Sequence, residues 1–272
     1  MKPVVAAMEN MATAFNGLGL WRGLQPVWGQ RMRARTFDRS LYLWMHRCGL
    51  MGRGERTTLM ELIKSGMTVV DVGANVGLYT VCMASLAGPS GRVIAFEPDP
   101  ENVEILRENC AENGAGNVEV RHCALGARPG RLTLHRLILN SGENHLGREE
   151  KAAFSRVVEV DVAAFDALYP GEHLDFVKVD VQGWELNVLY GMEAALRRSK
   201  PIVFLEFWPD GLERAGADPE DMYRFIESLG LNLYSSDGWK LLSLGSFLEL
   251  ATKAKGMGYV NLVASVNRPA GL

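Results

Sequence analysis

The segment VVDVGANVGLYT, residues 69–80, decides the fold of this chain. Its first residues complete an apolar strand, and DVGANVG reads as a turn that opens a helix. Gly73 and Gly77 lack a Cβ, so their backbone can take a positive φ and approach a ligand closely. The free N–H groups at the start of the helix can then bind polar parts of that ligand. Taken alone, the turn is equally typical of an ordinary tight turn.

A second strand ends on an acid in VIAFEPDP, residues 93–100. Glu97 lies twenty residues beyond Gly77, where a Rossmann-like unit places the carboxylate that binds ribose hydroxyls. The turn and this acid together predict a site for a cofactor that carries adenosine.

The spacing of the glycines indicates which cofactor. Asn75 stands where a nicotinamide-binding G-x-G-x-x-G turn has its middle glycine. Because that glycine admits a pyrophosphate, its absence favours a ligand without one. Asp71, before the glycines, suits a cationic group such as the amino acid end of S-adenosylmethionine. The turn therefore resembles motif I of class I methyltransferases, with FEP as the acidic motif that follows.

Composition sets the broad class. The chain has 272 residues, 47% of them hydrophobic, and a net charge of −3, which is typical of a globular protein rather than one that binds nucleic acid. Charge is uneven, since residues 1–56 carry nine basic and three acidic residues. The four cysteines show no metal-binding spacing, and buried thiols in a reducing compartment are expected. With no apolar run long enough to span a membrane and no secretory signal, the cytoplasm is the expected location.

Strands and helices alternate from residue 56 onward. This pattern predicts an α/β fold with a Rossmann-like, doubly wound, mainly parallel seven-stranded sheet and helices on both faces. We expect a methyltransferase-like domain over residues 56–272 and a basic, partly helical extension or lid over residues 1–55. Residues 1–35 show no clean periodicity, so they are either a partly ordered leader packed on the domain or a lid or membrane-surface segment.

The segment DFVKVDVQGWE, residues 175–185, places charges in an apolar strand. Burying Lys178 and Asp180 is unfavourable unless they are paired or used. Two interpretations are open. In one, Lys178 forms a structural ion pair with Asp180 or Glu185. In the other, Asp180 lies beside the transferred methyl group and Lys178 adjusts the properties of the Asp180 carboxylate.

KVDVQGWE resembles the K-x-D-x-x-G-x-E signature of the FkbM family of methyltransferases. DVGANVGLYT, AFEPDP, NVEVRHCALG and FLEFWP are similar to segments of that family in the same order, so the resemblance covers about residues 55–265. Gln182 stands where many members have glutamate.

The resemblance implies an S-adenosylmethionine-dependent O-methyltransferase acting on sugars, glycans or macrolide-type natural products. It implies that the glycine turn holds the methionine end and ribose, that Glu97 binds the ribose diol, and that Asp180 lines the methyl-transfer site. The cofactor-binding residues it implies are Asp71, Gly73, Ala74, Asn75, Gly77, Glu97, Pro98, Cys123, Ala124 and Asp180.

Methylation of an alcohol also requires loss of its proton, commonly to a positioned base. The candidates are Asp180, Glu206 and His145, whose loop SGENHLG is polar and whose intrinsic pKa suits the role, although loop histidines are more often solvated. Glu206 either caps a helix or joins Asp180 in an oxygen-ligand site for Mg²⁺, which would lower the pKa of a substrate hydroxyl.

Aromatic and histidine side chains outside these motifs are assigned by context. Trp184 and Trp208 border the same edge, where they pack or stack on a sugar, and Trp44 is expected in the core. The remaining histidines, which have no evident partners, are interpreted as structural: His46, His122, His135 and His173.

Two alternatives remain open. One is a methyltransferase for another small hydroxylated metabolite, assisted or not by Mg²⁺, and the other is a non-catalytic S-adenosylmethionine-binding partner protein. The basic N-terminal segment leaves peripheral membrane contact as a further hypothesis.

Overall fold

The computed structural model describes residues 24–34, 37–137, 145–146, 155–256 and 258–269. The described strands are β1 Leu24–Val27, β2 Gln30–Arg33, β3 Thr68–Val72, β4 Arg92–Phe96, β5 Val118–Arg121, β6 Ala124–Leu125, β7 Gly130–Leu137, β8 His145–Leu146, β9 Ser155–Ala163, β10 Phe176–Val179, β11 Ile202–Phe207, β12 Asn232–Ser235 and β13 Val260–Ser265. The described helices are α1 Phe37–Arg47, α2 Arg53–Leu62, α3 Leu78–Ala87, α4 Pro100–Glu112, α5 Phe165–Leu168, α6 Glu185–Gly191, α7 Glu193–Ser199, α8 Pro209–Arg214, α9 Pro219–Ser228 and α10 Leu244–Ala254.

A seven-stranded sheet in the order β12-β13-β11-β10-β3-β4-β5 forms the centre of the molecule. The strands from β11 to β5 run parallel, and β13 is antiparallel to both of its neighbours. The prediction of a Rossmann-like, mainly parallel seven-stranded sheet is confirmed. Strand order reverses between β3 and β10, which is where open α/β sheets place their ligands at the carboxyl ends of strands.

Alternate side chains of the sheet enter two separate apolar cores. Val70 and Val72 pack toward helices α6, α7, α9 and α10, whereas Val69 and Phe176 pack toward α2 and α3. Because the central strands are buried on both faces, they read in the sequence as nearly continuous apolar runs. The strand–helix alternation was predictable for this reason.

A smaller sheet in the order β6-β9-β7-β8 stands beside the carboxyl end of β4. Its strand β7 carries Arg136, whose guanidinium lies 2.7 Å from Asp99 and 2.7 Å from Glu101 at the start of α4. Since Asp99 is fully buried, this ion pair fixes the small sheet against the edge that holds Glu97.

The N-terminal part of the chain contains a hairpin that the sequence did not reveal. Strands β1 and β2 pair antiparallel, and Asn109 of α4 both accepts a hydrogen bond from the Arg33 N–H at 2.6 Å and donates to the Arg33 carbonyl at 3.1 Å. These contacts attach residues 24–34 to the main domain. Whether the leader is a packed segment or a lid stays a prediction, and residues 1–23 lie outside the described part.

Several boundaries differ from the expectation. The sequence from Trp184 to Leu196 is typical of one helix, but the structure has two, α6 and α7, which meet at Met192. Gly191 lies so close to Gly126 that an added Cβ would meet the Gly126 carbonyl at 2.1 Å. The prediction that Trp44 is a core residue was wrong, because 44% of it is exposed. Helix α10 was not predicted from the sequence.

No helix in the described ranges combines the length and apolar character needed to cross a membrane.

Candidate functional site

The glycine turn between β3 and α3 is shaped by its contacts with protein backbone. Gly73 has φ +85°, and a Cβ there would lie 1.9 Å from the carbonyl oxygen of Asp180. Gly77 has φ +88°, and its Cβ would meet Leu106 of α4 at 2.4 Å. Gly73 therefore allows the turn to pass the end of β10, and Gly77 allows helix α3 to pack against α4. The sequence had instead suggested that these glycines allow a ligand to approach the backbone closely.

The backbone N–H groups of the turn are tied to the end of β4. Gly73 and Ala74 both donate to the Phe96 carbonyl at 3.0 Å, and the Asn75 N–H donates to Glu97 Oε2 at 2.8 Å. Asn75 itself has φ +50°. The turn is thus held in one conformation before any ligand arrives.

Glu97 connects the turn to the start of α4. Its Oε1 accepts hydrogen bonds from the Asp99 N–H at 2.9 Å and from the Asn102 amide at 3.3 Å. Burial raises the pKa of Glu97 to about 7, and these hydrogen bonds oppose the rise. Glu97 Oε2 keeps a lone pair beyond the one used by Asn75, so it has the capacity to accept from a ribose hydroxyl.

A cavity of about 290 Å³ lies along the carboxyl edge of the sheet. We call the part formed by the turn and by the ends of β4 and β5 the glycine-turn end. Of the residues implied for the cofactor, those that line the cavity are Gly73, Ala74, Asn75, Glu97, Pro98, Cys123, Ala124 and Asp180. Trp184 also lines it, and its buried Nε1 has no acceptor within the described part of the chain, so this donor is available to a ligand such as an adenine ring. The donor and acceptor set fits an adenosine-bearing cofactor.

Asp71 and Gly77 lie outside the cavity wall. Asp71 is fully buried, accepts a hydrogen bond from the Thr80 hydroxyl at 2.6 Å and lies 3.8 Å from the Lys178 ammonium. Burial raises the pKa of Asp71, and Lys178 counteracts part of that rise. The structure places Asp71 beneath the cavity, where it supports Lys178.

The opposite part of the cavity, which we call the carboxylate end, is formed where β10 and β11 finish. Lys178 Nζ lies 2.9 Å from Asp180 Oδ2, which is the ion pair that the sequence offered as one interpretation. Glu185, its other suggested partner, instead accepts from the Gly183 N–H at 2.8 Å. Burial works against the Lys178 charge, but Asp180 and Asp71 outweigh it and raise the pKa of the ammonium.

Gln182 joins the two acids of the carboxylate end. Its amide nitrogen donates to Asp180 Oδ1 at 3.1 Å and also contacts Glu206 Oε2. Burial and the neighbouring Asp180 raise the pKa of Glu206 well above its ordinary value. Burial alone would also raise the pKa of Asp180, but the charge of Lys178 and the hydrogen bonds to Asp180 have the larger effect, so the pKa of Asp180 is lowered. Asp180 is therefore ionised near neutral pH, whereas Glu206 gives up its proton less readily than an exposed glutamate does.

This arrangement fits Mg²⁺ poorly. The Asp180 oxygens already face an ammonium and an amide N–H, both of which repel a cation, and Glu206 shares that amide. Across the residues whose positions are described, no three carboxylate, histidine or cysteine side chains group as a metal site.

Helices α1 and α2 contribute side chains to the carboxylate end; the sequence predicted a partly helical extension or lid here, but not which of its residues line the cavity. Tyr42 and His46 of α1 and Glu55 of α2 line the cavity together with Tyr79 of α3. His46 Nδ1 lies 2.9 Å from the Tyr42 carbonyl, and its Nε2 lies 3.4 Å from the Tyr79 hydroxyl. The interpretation of His46 as a histidine without partners was wrong. The i, i+4 spacing of Tyr42 and His46 on one helix face was the available signal.

The other candidates are placed less centrally. The backbone of His145 lies in β8 and its neighbour Leu146 lines the cavity, but the side chain of His145 lies outside the described part. Trp208 lines the cavity, as expected for the edge. His122 contacts the Pro98 carbonyl at 3.2 Å and His173 contacts Asp175 at 3.3 Å, so these two also have partners that the sequence did not suggest.

Comparison with known proteins places this geometry in a family. The family described as the Methyltransferase FkbM domain matches residues 71–233. The chain is 31% identical over 182 residues to Methyltransferase sdnD of Sordaria araneosa, covering 55% of this chain and 70% of that protein. It is 28% identical over 183 residues to the hexuronic acid methyltransferase AglP of Haloferax volcanii, covering 66% of this chain and 71% of that protein.

Solved structures with a similar chain course include Methyltransferase FkbM from Methylobacillus flagellatus, at 18% identity and a TM-score of 0.45 over 83% of this chain and 53% of that one. This chain therefore spans about half the length of that structure. An O-methyltransferase from Bacillus cereus in complex with SAH aligns at 18% identity and a TM-score of 0.46, over 80% of this chain and 82% of that one.

The family match begins at Asp71 and includes the glycine turn, Glu97 and the whole Lys178–Gln182 segment, whereas the cavity-lining residues of α1 and α2 lie outside it. Because the match spans more than half of the 272 residues, the chain belongs to the FkbM family and is an S-adenosylmethionine-dependent methyltransferase.

Proposed function

We propose that this protein transfers a methyl group from S-adenosylmethionine to a hydroxyl of a sugar, glycan or glycosylated natural product. The observation that carries the proposal is a single cavity that joins the glycine-turn end to the carboxylate end. A methyl donor bound at the first end and a polar acceptor bound at the second would share one enclosed space. Holding two reactants in this way supplies much of the rate enhancement of a displacement reaction.

The glycine-turn end has the groups that the cofactor requires. In the proposal, Glu97 binds the ribose diol, the Gly73–Asn75 turn lies along the ribose and methionine end, and Pro98, Cys123 and Ala124 border adenine. Asp180, ionised beside Lys178, faces the cationic methyl donor. When bound, S-adenosylmethionine supplies an activated methyl group on a sulfonium.

The carboxylate end has the character of a carbohydrate site. The amide of Gln182 and the carboxyl of Glu206 can exchange hydrogen bonds with hydroxyl groups, and Trp208 and Tyr259 present aromatic rings. Sugar faces pack well on such rings. The relative named as a hexuronic acid methyltransferase supports the same substrate class.

We also propose a role for the N-terminal extension, residues 1–55, as a cover over the domain that begins at residue 56. Tyr42, His46 and Met51 contribute to the wall of the carboxylate end, so an acceptor has to fit against them. An extension of this kind would contribute to substrate choice rather than to cofactor binding.

Release of S-adenosylhomocysteine from purified protein and S-adenosylmethionine tests the proposal. The acceptor panel contains neutral methyl glycosides, uronic acids, glycosylated macrolides and simple hydroxylated aromatics, each with EDTA and with added Mg²⁺. Turnover of a glycoside, equal in EDTA and Mg²⁺, is the expected result. Turnover of the aromatics alone would favour the alternative metabolite methyltransferase, and cofactor binding without any transfer would favour a non-catalytic partner protein.

A further inference from the structure

The carboxylate end contains a buried histidine whose proton position is fixed by its neighbour. Only 2% of His46 is exposed, and its Nδ1 lies 2.9 Å from the Tyr42 carbonyl oxygen. Because a carbonyl only accepts, Nδ1 carries the hydrogen and Nε2 has a free lone pair. A neutral imidazole in this tautomer is able to accept a proton.

Tyr79 connects this lone pair to the cavity. Its hydroxyl lies 3.4 Å from His46 Nε2 and donates to it, which leaves the oxygen lone pairs of Tyr79 for another partner. Such contacts are often long in the absence of substrate and shorten in the reactive complex. The ring of Tyr79 lies 4.8 Å from Lys178 Nζ, so the tyrosine is adjacent to the Lys178–Asp180 pair.

Three acids also line the carboxylate end, namely Asp180, Glu206 and Glu55, and each already accepts a hydrogen bond from a protein donor. Asp180 is held as a weakly basic anion by Lys178 and Gln182, since its pKa is lowered. Glu206 shares the Gln182 amide, and Glu55 accepts from the Asn261 amide at 3.0 Å. Among the described residues that line the carboxylate end, His46 is the one with a nitrogen lone pair at neutral pH.

We propose that Tyr79 and His46 form the route by which the acceptor hydroxyl loses its proton. As the bond between the acceptor oxygen and the methyl carbon forms and the bond from that carbon to sulfur breaks, the acceptor proton passes to the Tyr79 oxygen. The original Tyr79 proton passes to His46 Nε2. The positive charge lost by the sulfonium thus appears on the imidazolium, and atoms and charge balance. Tyr79 is the catalytic residue in this route, His46 acts through it, and the proposal rests on the proposed function.

The groups around His46 are consistent with this role. Burial lowers its pKa, so the ring is neutral at pH 7, while Glu55 of α2 and Asp180 favour the imidazolium and Lys178 opposes it. Tyr42 and Tyr79 stay protonated because burial raises the pKa of each. Since the neutral ring is the active form, the turnover rate should rise with pH through the His46 pKa, below 6.5, and be level above it.

The test uses His46→Asn and Tyr79→Phe. The asparagine amide can still donate to the Tyr42 carbonyl, and phenylalanine keeps the ring beside Lys178, so each change removes one step of the route with little loss of packing. His173→Asn serves as the matched control, because His173 is an exposed histidine that does not line the cavity and has a polar contact with Asp175. Full-length variants are compared by kcat and KM for an acceptor found in the panel, by Kd for S-adenosylmethionine and by thermal midpoint.

We expect kcat to fall about 100-fold or more in each variant, the usual range for loss of a general base, with Kd for S-adenosylmethionine and the thermal midpoint nearly unchanged. The double variant should be no slower than the singles, and the acidic limb of the pH profile should disappear in His46→Asn. A His46→Asn protein that retains kcat within threefold, or its acidic limb, overturns the proposal while leaving the proposed function intact. A wild-type protein that binds the cofactor but methylates no hydroxyl overturns both.

Discussion

Replacing Lys178 with methionine tests whether two buried carboxylates depend on one cation. Its Nζ lies 2.9 Å from Asp180 and 3.8 Å from Asp71. At an effective dielectric constant of about 20, these attractions amount to about 6 and about 4 kcal/mol before desolvation of the ammonium is subtracted. Removing one partner of a buried pair typically costs about 3–5 kcal/mol. Because 27% of the Asp180 side chain is exposed to the cavity, we expect the lower value, a loss of about 3 kcal/mol in the free energy of unfolding.

The unfolding free energy lost in Lys178→Met should be larger at neutral pH than at acidic pH. Lys178 keeps the pKa of Asp180 below its ordinary value, so the stability from this pair is present above the unfolded pKa and disappears as pH falls through the folded one. The difference between Lys178→Met and wild type should therefore be full at pH 7 and should shrink below about pH 4.

Urea denaturation followed by circular dichroism between pH 3.5 and 8 provides the measurement. Lys253→Met is the control, since Lys253 lies 3.7 Å from Glu249 with both side chains largely exposed, and such pairs contribute little. If Lys178→Met is as stable as Lys253→Met, or if its loss is the same at pH 3.5 and pH 7, the electrostatic account of this site is refuted.

Three further outcomes are expected. Gly73→Ala should unfold at a lower urea concentration than Gly114→Ala, because both have positive φ but only the first Cβ meets backbone, at 1.9 Å; equal midpoints would contradict the crowding. Burial raises the folded pKa of Glu97 to about 7, so the unfolding free energy of wild type should decrease as pH rises from about 4.5 to about 7, and Glu97→Gln should flatten that decrease. Gln182→Glu replaces the bridging amide with a third carboxylate, so Mg²⁺ should raise the thermal midpoint of that variant and leave wild type unchanged, as measured by differential scanning fluorimetry.

The sequence predicted the parts of the site that local pattern determines. The strand, turn and helix around Gly73 and the acid at the end of β4 follow from apolar runs, glycine positions and spacing, and the structure has these elements where they were expected. The ion pair between Lys178 and Asp180 was predictable for the same reason, since the two residues are two positions apart at the end of β10 and extend from the same face of the chain.

What the sequence did not predict depends on contacts between distant segments. The hairpin β1–β2 has no apolar alternation and is positioned by Asn109, 76 residues away. His46 acquires its environment from Tyr79, 33 residues along the chain, so its own sequence neighbourhood says little about its role. The hydrogen bond from the Thr80 hydroxyl to Asp71 joins two residues nine positions apart and was likewise not predicted.

Isothermal titration of the purified protein with S-adenosylmethionine tests the central claim most directly. We expect one site with a dissociation constant in the micromolar range, and binding at least tenfold weaker for Glu97→Ala, which removes the carboxylate that faces the glycine-turn end. The His173→Asn protein should bind as wild type does. If folded wild-type protein shows no heat of binding and no competition by S-adenosylhomocysteine, the cavity is not a cofactor site and the account is contradicted.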